Sequence, residues 1–199
     1  MEPEPIQTPV PDQFDLWKFI AELVKTAVIV CVLVYVTRTF LLQPFIVEGS
    51  SMFPRFETND YLLVDKLTYR LHDAHRGDII VFKYPFDTSV NYVKRVIGLP
   101  GETVKITNGQ VSIINSQNPN GLLLNEPYIN GHVQTLLPSG ASSAEYKVPD
   151  DSYFVMGDNR PASSDSREWS FMPKKDMIGR VIIEAFPFNK ASIVTDPTY

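Results

Sequence analysis

The chain has 199 residues, of which 44% are hydrophobic and 21% charged, and its formal net charge is −5. This length and apolar content are enough for one folded domain with a buried core. The sequence shows no dense basic patch, which argues against a nucleic-acid partner. Cys31 is the single cysteine, so a disulfide within the chain is excluded.

The N-terminal part of the sequence combines a polar tail with an apolar helix. Residues 1–15 are rich in proline and acidic residues and are predicted to be disordered. Residues 16–42 have an apolar helical pattern, although their uncharged centre, residues 26–37, is short for a membrane span. Lys25 and Arg38 flank this centre, and such long side chains can reach a membrane interface. Because no small-residue cleavage site follows, we predict an uncleaved transmembrane anchor over 16–42, with a buried core helix as the alternative.

The rest of the chain has the sequence pattern of a β protein. Short apolar stretches separated by turn signals predict strands at 61–64, 78–82, 92–97, 103–106, 110–114, 152–156 and 178–183. Many short strands without long helical patterns between them predict a mainly β fold with an antiparallel body over 43–199. Residues 115–150 are rich in Asn, Pro, Gly and Ser, so a smaller, loop-rich cap is predicted to be inserted at 107–150.

Candidate metal and histidine chemistry is limited. The chain has three histidines, His72, His75 and His132, and neither an H-E-x-x-H motif nor paired C-x-x-C motifs, so no metal site and no cofactor are predicted. A Ser-His-Asp triad that uses Ser51 with His72 or His75 stays open, because triads are recognised in space and not by sequence spacing.

Lys94 is the more informative residue. In an alternating strand Tyr92, Lys94 and Val96 share one face, whereas Arg95 points to the other and is expected to bind backbone or a carboxylate. If the face of Lys94 is buried, desolvation lowers its pKa. The neutral amine that results can take a proton from a serine. An exposed lysine on an edge strand is the alternative.

Four motifs occur in a characteristic order. They are Ser51-Met52-x-Pro54, Arg76-Gly77-Asp78, Tyr92-x-Lys94-Arg95 followed by Gly98-Leu99-Pro100-Gly101, and the polar loop at 157–167. Each motif is weak alone, but together they make the chain similar to the bacterial type I signal peptidases, which are membrane-anchored Ser-Lys endopeptidases. The resemblance extends from the apolar helix to about residue 183.

The resemblance implies a role for each matching residue. Ser51 is expected to be the nucleophile, Lys94 the general base that later protonates the leaving amine, and Ser163 the hydroxyl that orients Lys94. Asp165 and Arg167 are expected to form an ion pair that braces the 157–167 loop, with Asp158 and Arg160 as part of the same support. Arg95 is also expected to support the catalytic pair. Gly49 occupies a position where some family members carry a serine that assists the oxyanion. The oxyanion hole is therefore expected to depend on the backbone N–H of Ser51.

The resemblance also implies the substrate. Family members remove signal peptides from exported preproteins by cutting after a small residue, with another small residue at −3. The matching pocket positions are Phe45, Val47 and Val93, with Tyr92 on the same strand and Met52 beside the nucleophile. Branched apolar walls leave room for alanine and exclude large side chains. Core residues would look the same in sequence.

The expected setting follows from the anchor and the substrate. The protein is expected to be a single-pass monomer of the plasma (inner) membrane, with its catalytic domain on the outer face, and an internal photosynthetic-type membrane is the alternative. Its partners are expected to be signal-peptide-bearing preproteins and the lipid bilayer. Phe53, Phe56 and Phe86 are hypothesised to seat the catalytic face in the bilayer.

Two rival functions remain. The self-cleaving repressors of the DNA-damage response are soluble Ser-Lys proteins with a related β core. They often carry a DNA-binding domain where this chain has an apolar helix. The other rival is a membrane-tethered β module without activity, in which Ser51 and Lys94 are merely structural.

Overall fold

The structure is a computed structural model that describes residues 15–37, 41–129, 133–197 and 199. The chain divides into two compact units, residues 1–38 and 39–199. The predicted disordered tail lies outside the described residues except for Asp15. His132 lies outside them as well.

The first unit contains a single described helix, α1, which spans Leu16–Val36. The Asp15 carboxylate accepts a hydrogen bond from the Lys18 N–H at 3.3 Å and so satisfies one free donor of the first turn. The apolar side chains of α1 are exposed over residues 16–35. In the described part of the chain, no helix combines the length and the apolar character needed to cross a membrane. A helix is present where the sequence predicts one, but it ends at Val36. Leu42, the last residue of the predicted anchor, lies instead in a strand, because it pairs with Asp65. The transmembrane anchor stays a prediction.

The second unit is built on two antiparallel sheets. The larger sheet has the order β1-β2-β11-β3-β4-β9-β10, with β12 paired to β11. Its strands are β1 Leu42–Ile46, β2 Tyr61–Asp65, β3 Ile79–Tyr84, β4 Asp87–Gly98, β9 Ser152–Met156, β10 Met172–Pro173, β11 Met177–Phe186 and β12 Ser192–Ile193. The smaller sheet has the order β7-β6-β5-β8, with β5 Thr103–Thr107, β6 Gln110–Ile114, β7 Leu122–Leu123 and β8 Ser143–Lys147. Two short helices, α2 Thr68–Leu71 and α3 Ser166–Trp169, complete the unit with 3₁₀ turns at Arg160–Ala162 and Lys174–Asp176.

The mainly β, antiparallel fold class is confirmed, and each predicted strand overlaps an observed one. Two five-residue strands, β1 and β8, were not predicted from the sequence. β1 contains Pro44, which lacks a backbone donor and is tolerated because β1 lies at the edge of its sheet. β8 lies in the segment predicted to be loop-rich, and pairing with β5 makes it a strand.

The core consists of three clusters of buried apolar side chains. One of them holds Val47, Met52, Phe56 and Leu62 under the segment that carries Ser51. Phe56 is fully buried there, so the hypothesis that it contacts the bilayer is wrong: its ring is needed to fill this cluster. Phe53 and Phe86 are 43% and 73% exposed.

Candidate active site

Ser51 and Lys94 meet although 43 residues separate them in the sequence. Lys94 lies in β4, and Ser51 lies in the turn that follows β1. The Lys94 Nζ donates to the Ser51 Oγ at 2.8 Å and to the carbonyl oxygen of Val93 at 3.1 Å. It also lies 4.8 Å from the centre of the Tyr92 ring. This geometry permits direct proton transfer between the amine and the hydroxyl.

The environment of Lys94 makes its neutral form easier to reach than that of an exposed lysine. The residue is only 3% exposed, and this burial lowers the pKa of Lys94 to about 8 from an ordinary value of 10.5. Asp165 and Asp158 oppose the shift because their negative charges stabilise the ammonium. The balance leaves an amine that changes protonation state close to neutral pH, as a general base must.

Two hydrogen bonds from Asn159 fix the turn that carries Ser51. Asn159 donates its N–H to the Ser51 carbonyl at 3.0 Å and its side-chain amide to the Ser50 carbonyl at 3.0 Å. Gly49 has φ of +91°, a conformation that side chains with a Cβ rarely adopt. Among the described residues the Ser51 N–H donates no hydrogen bond within the protein, so it is available to an oxyanion.

Gly157 is the point where the polar loop touches the nucleophile. A Cβ at this position would overlap the Ser51 carbonyl oxygen and the Ser163 side chain, so only glycine fits. The Gly157 N–H donates to the Asp165 carboxylate at 3.1 Å. The Ser163 Oγ is buried nearby and has no hydrogen-bond partner among the described residues. The lysine-orienting role of Ser163 therefore stays a prediction.

Two buried ion pairs support the site. Arg95 holds Asp158 with two hydrogen bonds, of 2.8 and 2.6 Å, and donates a third to the Gly77 carbonyl. Arg167 holds Asp165 in the same bidentate way, with both distances at 2.8 Å. Such paired geometry is rigid and fixes the position of each carboxylate. Because both carboxylates act on the pKa of Lys94, these arginines also set the charge around the amine.

Arg160 has a partner that the sequence did not indicate. The resemblance groups it with Asp158, but its guanidinium instead binds the Glu126 carboxylate and the Thr135 hydroxyl. Its Nε donates to the Gly157 carbonyl at 3.2 Å. Glu126 and Thr135 belong to the segment predicted as a loop-rich cap. That segment therefore braces the loop that touches Ser51.

Tyr128 extends this bracing to the lysine-bearing strand. Its ring lies 3.9 Å from the guanidinium carbon of Arg95, and its hydroxyl donates to Glu126 at 2.7 Å. The hydroxyl of Tyr199 lies 3.0 Å from that of Tyr128. Sequence reasoning missed Glu126, Tyr128 and Tyr199, because single polar or aromatic residues in irregular segments carry no periodic signal.

A cleft of about 590 Å³ opens beside Ser51 and Lys94. Most of the predicted pocket residues line it: Phe45, Val47, Gly49, Tyr92 and Val93. Met52 does not line it, because its side chain is 1% exposed and packs in the core beneath the nucleophile turn. Two strand edges form the long walls of the cleft. β1 is the last strand of its sheet, and β4 pairs with β9 only from Arg95 onward.

The histidines play no part in this site as far as the chain is described. The Ser51 Oγ bonds to Lys94, and His75 lies beside Asp78, 4.0 Å from its carboxylate. His72 lines a different cleft. A triad of Ser51 with His72 or His75 is therefore not formed.

Comparison with known proteins identifies the family. Residues 20–186 match the family model described as signal peptidase, peptidase S26. A Synechocystis protein named probable signal peptidase I-2 is 38% identical over 181 residues, which cover 88% of this chain and 77% of that protein. Signal peptidase I of Leptolyngbya laminosa is 39% identical over 184 residues, covering 88% of this chain and 84% of the relative. Signal peptidase I U of Bacillus subtilis is 37% identical over 172 residues, covering 84% and 88%. The chain thus belongs to the signal peptidase I family of peptidase S26, whose members cleave signal peptides from preproteins.

Proposed function

We propose that this protein is a membrane-anchored serine endopeptidase that removes signal peptides from exported preproteins with Ser51 as nucleophile and Lys94 as general base. One observation carries the proposal: a buried lysine amine lies 2.8 Å from a serine hydroxyl at the wall of an open cleft. A structural lysine would be expected to pair with a carboxylate. Lys94 instead bonds to a serine hydroxyl and a backbone carbonyl.

The first half of the reaction forms an acyl-enzyme. The neutral Lys94 amine takes the Ser51 hydroxyl proton while Oγ attacks the carbonyl carbon of the scissile bond. The Ser51 N–H, and not a side chain at Gly49, stabilises the negative oxygen of the tetrahedral intermediate. The Lys94 ammonium then protonates the leaving amine, and the C–N bond breaks.

The second half releases the signal peptide. Lys94 is neutral again after it has protonated the leaving amine. It takes a proton from a water molecule, which attacks the acyl carbon and forms a second tetrahedral intermediate. The ammonium returns this proton to Ser51 Oγ as the acyl bond breaks. One proton carrier therefore serves both halves, and the reaction needs no other base.

The cleft suits an extended peptide. β1 and residues 87–94 of β4, the part of β4 before its pairing with β9, each have a free edge. Both edges can hydrogen-bond to a peptide strand inserted between them. The side chains of Phe45, Val47 and Val93 line this path and restrict the substrate side chains near the scissile bond. They favour small residues at −1 and −3 because branched apolar walls exclude larger ones.

Helix α1 is proposed to hold the enzyme at the membrane where preproteins emerge. Its exposed apolar side chains, which include Trp17, Leu33 and Tyr35, support this role. The catalytic unit would then lie on the non-cytoplasmic face. Alkaline extraction of membranes tests the anchor: the full chain should stay in the pellet, and a variant that lacks residues 1–37 should be released. Release of both proteins would refute it.

Cleavage of a preprotein by three variants tests the mechanism. Ser51→Ala and Lys94→Ala should each lower kcat by about 10³-fold or more, since removing one member of a catalytic unit disables the whole unit. Ser50→Ala is the matched control, because Ser50 lines the same cleft but uses only its carbonyl to bind Asn159. It should retain near-normal activity. Cleavage by Ser51→Ala or Lys94→Ala at the wild-type rate would refute the dyad.

A further inference from the structure

A second cleft adjoins the catalytic cleft. It has a volume of about 480 Å³ and is lined by residues of β1, α2, β3, β4 and β11. Phe45 and Asn91 line both clefts, so a chain that leaves one enters the other directly. We call this second space the basic cleft and define it by Gln43, Phe45, Arg70, Lys83, Asn91 and Lys174.

The charges of the basic cleft are unbalanced. Among the described residues, Asp73 is the one acidic residue in its lining, and its carboxylate is bound by Lys174 at 2.9 Å. Arg70 and Lys83 are both exposed, and neither side chain makes an ion pair or a hydrogen bond within the described residues. Two positive charges therefore face the cleft without a protein partner.

The two clefts lie along the same strands at a measurable spacing. Asn91 precedes Lys94 by three residues in β4, and Lys83 lies opposite Asn91 in the register of β3 and β4. With a rise of about 3.3 Å per residue, Asn91 lies roughly 10 Å along the strand from Lys94. An extended substrate therefore reaches the basic cleft about three to four residues from the scissile bond and meets Lys83 soon after.

The direction of the substrate rests on the proposed function. Val47 and Val93 line the catalytic cleft alone and Phe45 lines both clefts, so the walls assigned to the −1 and −3 side chains run from Ser51 towards the basic cleft. The signal-peptide side of the substrate must then continue towards Arg70 and Lys83. The substrate enters the basic cleft beside Asn91 at position −3 or −4, so the next residues, positions −5 to −7, lie within the cleft.

We infer that the basic cleft is a specificity subsite that accepts acidic side chains at positions −5 to −7 of the signal peptide and disfavours lysine and arginine there. An exposed ion pair has a modest energy, so glutamate should improve kcat/KM about two- to fivefold over glutamine. Lysine should lower kcat/KM by a similar factor. Salt screens exposed charges, so both effects should shrink at high ionic strength.

Three peptides that differ only at position −6, where they carry glutamate, glutamine or lysine, test this inference. The full chain in a non-ionic detergent should cleave them in the order Glu, Gln, Lys, with a Glu-to-Lys ratio of about tenfold at low salt. The double variant Arg70→Gln/Lys83→Gln should bring the ratio close to one. Lys83→Glu should reverse the order. Lys147→Glu is the control, since this exposed lysine of β8 lines neither cleft and its substitution changes the net charge by two units, as each test variant does.

The glutamine peptide separates failure of this inference from failure of the proposed function. If wild type cleaves no peptide, the proposed function fails and the subsite fails with it. If all three peptides are cleaved equally, or the double variant keeps the wild-type order, only the subsite is refuted. A glutamate preference that appears at +4 to +6 instead would refute the assigned direction. A double variant that alters only cleavage in phosphatidylglycerol vesicles would assign the cleft to lipid headgroups and overturn the inference.

Discussion

The pH dependence of peptide cleavage is the sharpest test of Lys94 as the general base. Burial lowers the pKa of Lys94 to about 8, and only the neutral amine can accept the Ser51 proton. At pH 7 about a tenth of the enzyme then carries a neutral Lys94, and at pH 9 about nine-tenths does. The value of kcat/KM should therefore rise about tenfold between pH 7 and pH 9.

The assay needs a substrate that does not titrate itself. A peptide with blocked termini, no ionisable side chain and alanine at −1 and −3 meets this condition, and kcat/KM then reports the ionisation of the free enzyme. Circular dichroism at each pH shows whether the fold persists. The Lys147→Gln variant should give the same profile, because that lysine lies outside both clefts.

Two results would refute this account of the base. A flat profile from pH 7 to pH 9 would mean that no group with the pKa of Lys94 limits the reaction. A profile with its midpoint near 6.5 would indicate an ordinary histidine as the base. The second result would restore the Ser-His alternative that the geometry of Ser51 and Lys94 opposes.

Three further predictions concern stability and bracing. The Lys94→Met variant should exceed wild type in unfolding free energy by roughly 3 kcal/mol at pH 7. The folded-state pKa of Lys94 lies below its ordinary value of 10.5, so burial of the charged lysine destabilises the wild type fully below pH 8 and less as the pH rises to 10.5. If denaturant titrations gave the same difference in unfolding free energy between variant and wild type at every pH, this prediction would be wrong. Gly157→Ala should lower kcat at least tenfold, because its Cβ would displace the Ser51 carbonyl. Single-turnover kinetics at the wild-type rate would rule this out. Tyr128→Leu should lower kcat several-fold, leave KM unchanged and shift the pH profile, since the ring lies on Arg95 outside the substrate cleft. Tyr128→Phe keeps the ring and should restore both values, whereas equal losses in both variants would mean that the hydroxyl and not the ring is required.

Much of the fold was accessible from local pattern. Short apolar or alternating stretches predicted the strands that became β2 to β6, β9 and β11, because each of these strands has at least one side against a core. β1 and β8 gave no comparable signal. β1 carries Pro44, which sequence reasoning takes as evidence against a strand, and β8 is strand-like only because β5 supplies hydrogen-bond partners.

The sequence likewise predicted part of the candidate active site, and the structure supplied the rest. Motif order named Ser51, Lys94 and the charged residues of the 157–167 loop and paired Asp165 with Arg167, but it did not give the partners of Asp158 and Arg160. Arg95 binds Asp158, and Arg160 binds Glu126 from a segment without pattern. Phe56 was expected at the surface because its neighbours are turn residues, and Met52 was placed in the substrate pocket by the resemblance. Both side chains are buried, because the turn packs directly on a core cluster that includes them.

The sequence by itself determined the mainly β class, the helix that precedes it and the residue types able to run a Ser-Lys reaction. Only the tertiary structure decided that Lys94 is buried, that its amine meets Ser51 at 2.8 Å and that two clefts share one wall. The physical reason is that periodicity shows which residues share a face of a strand but does not show which segments cover that face. Burial of Lys94, and with it the lowered pKa, comes from segments distant in the chain.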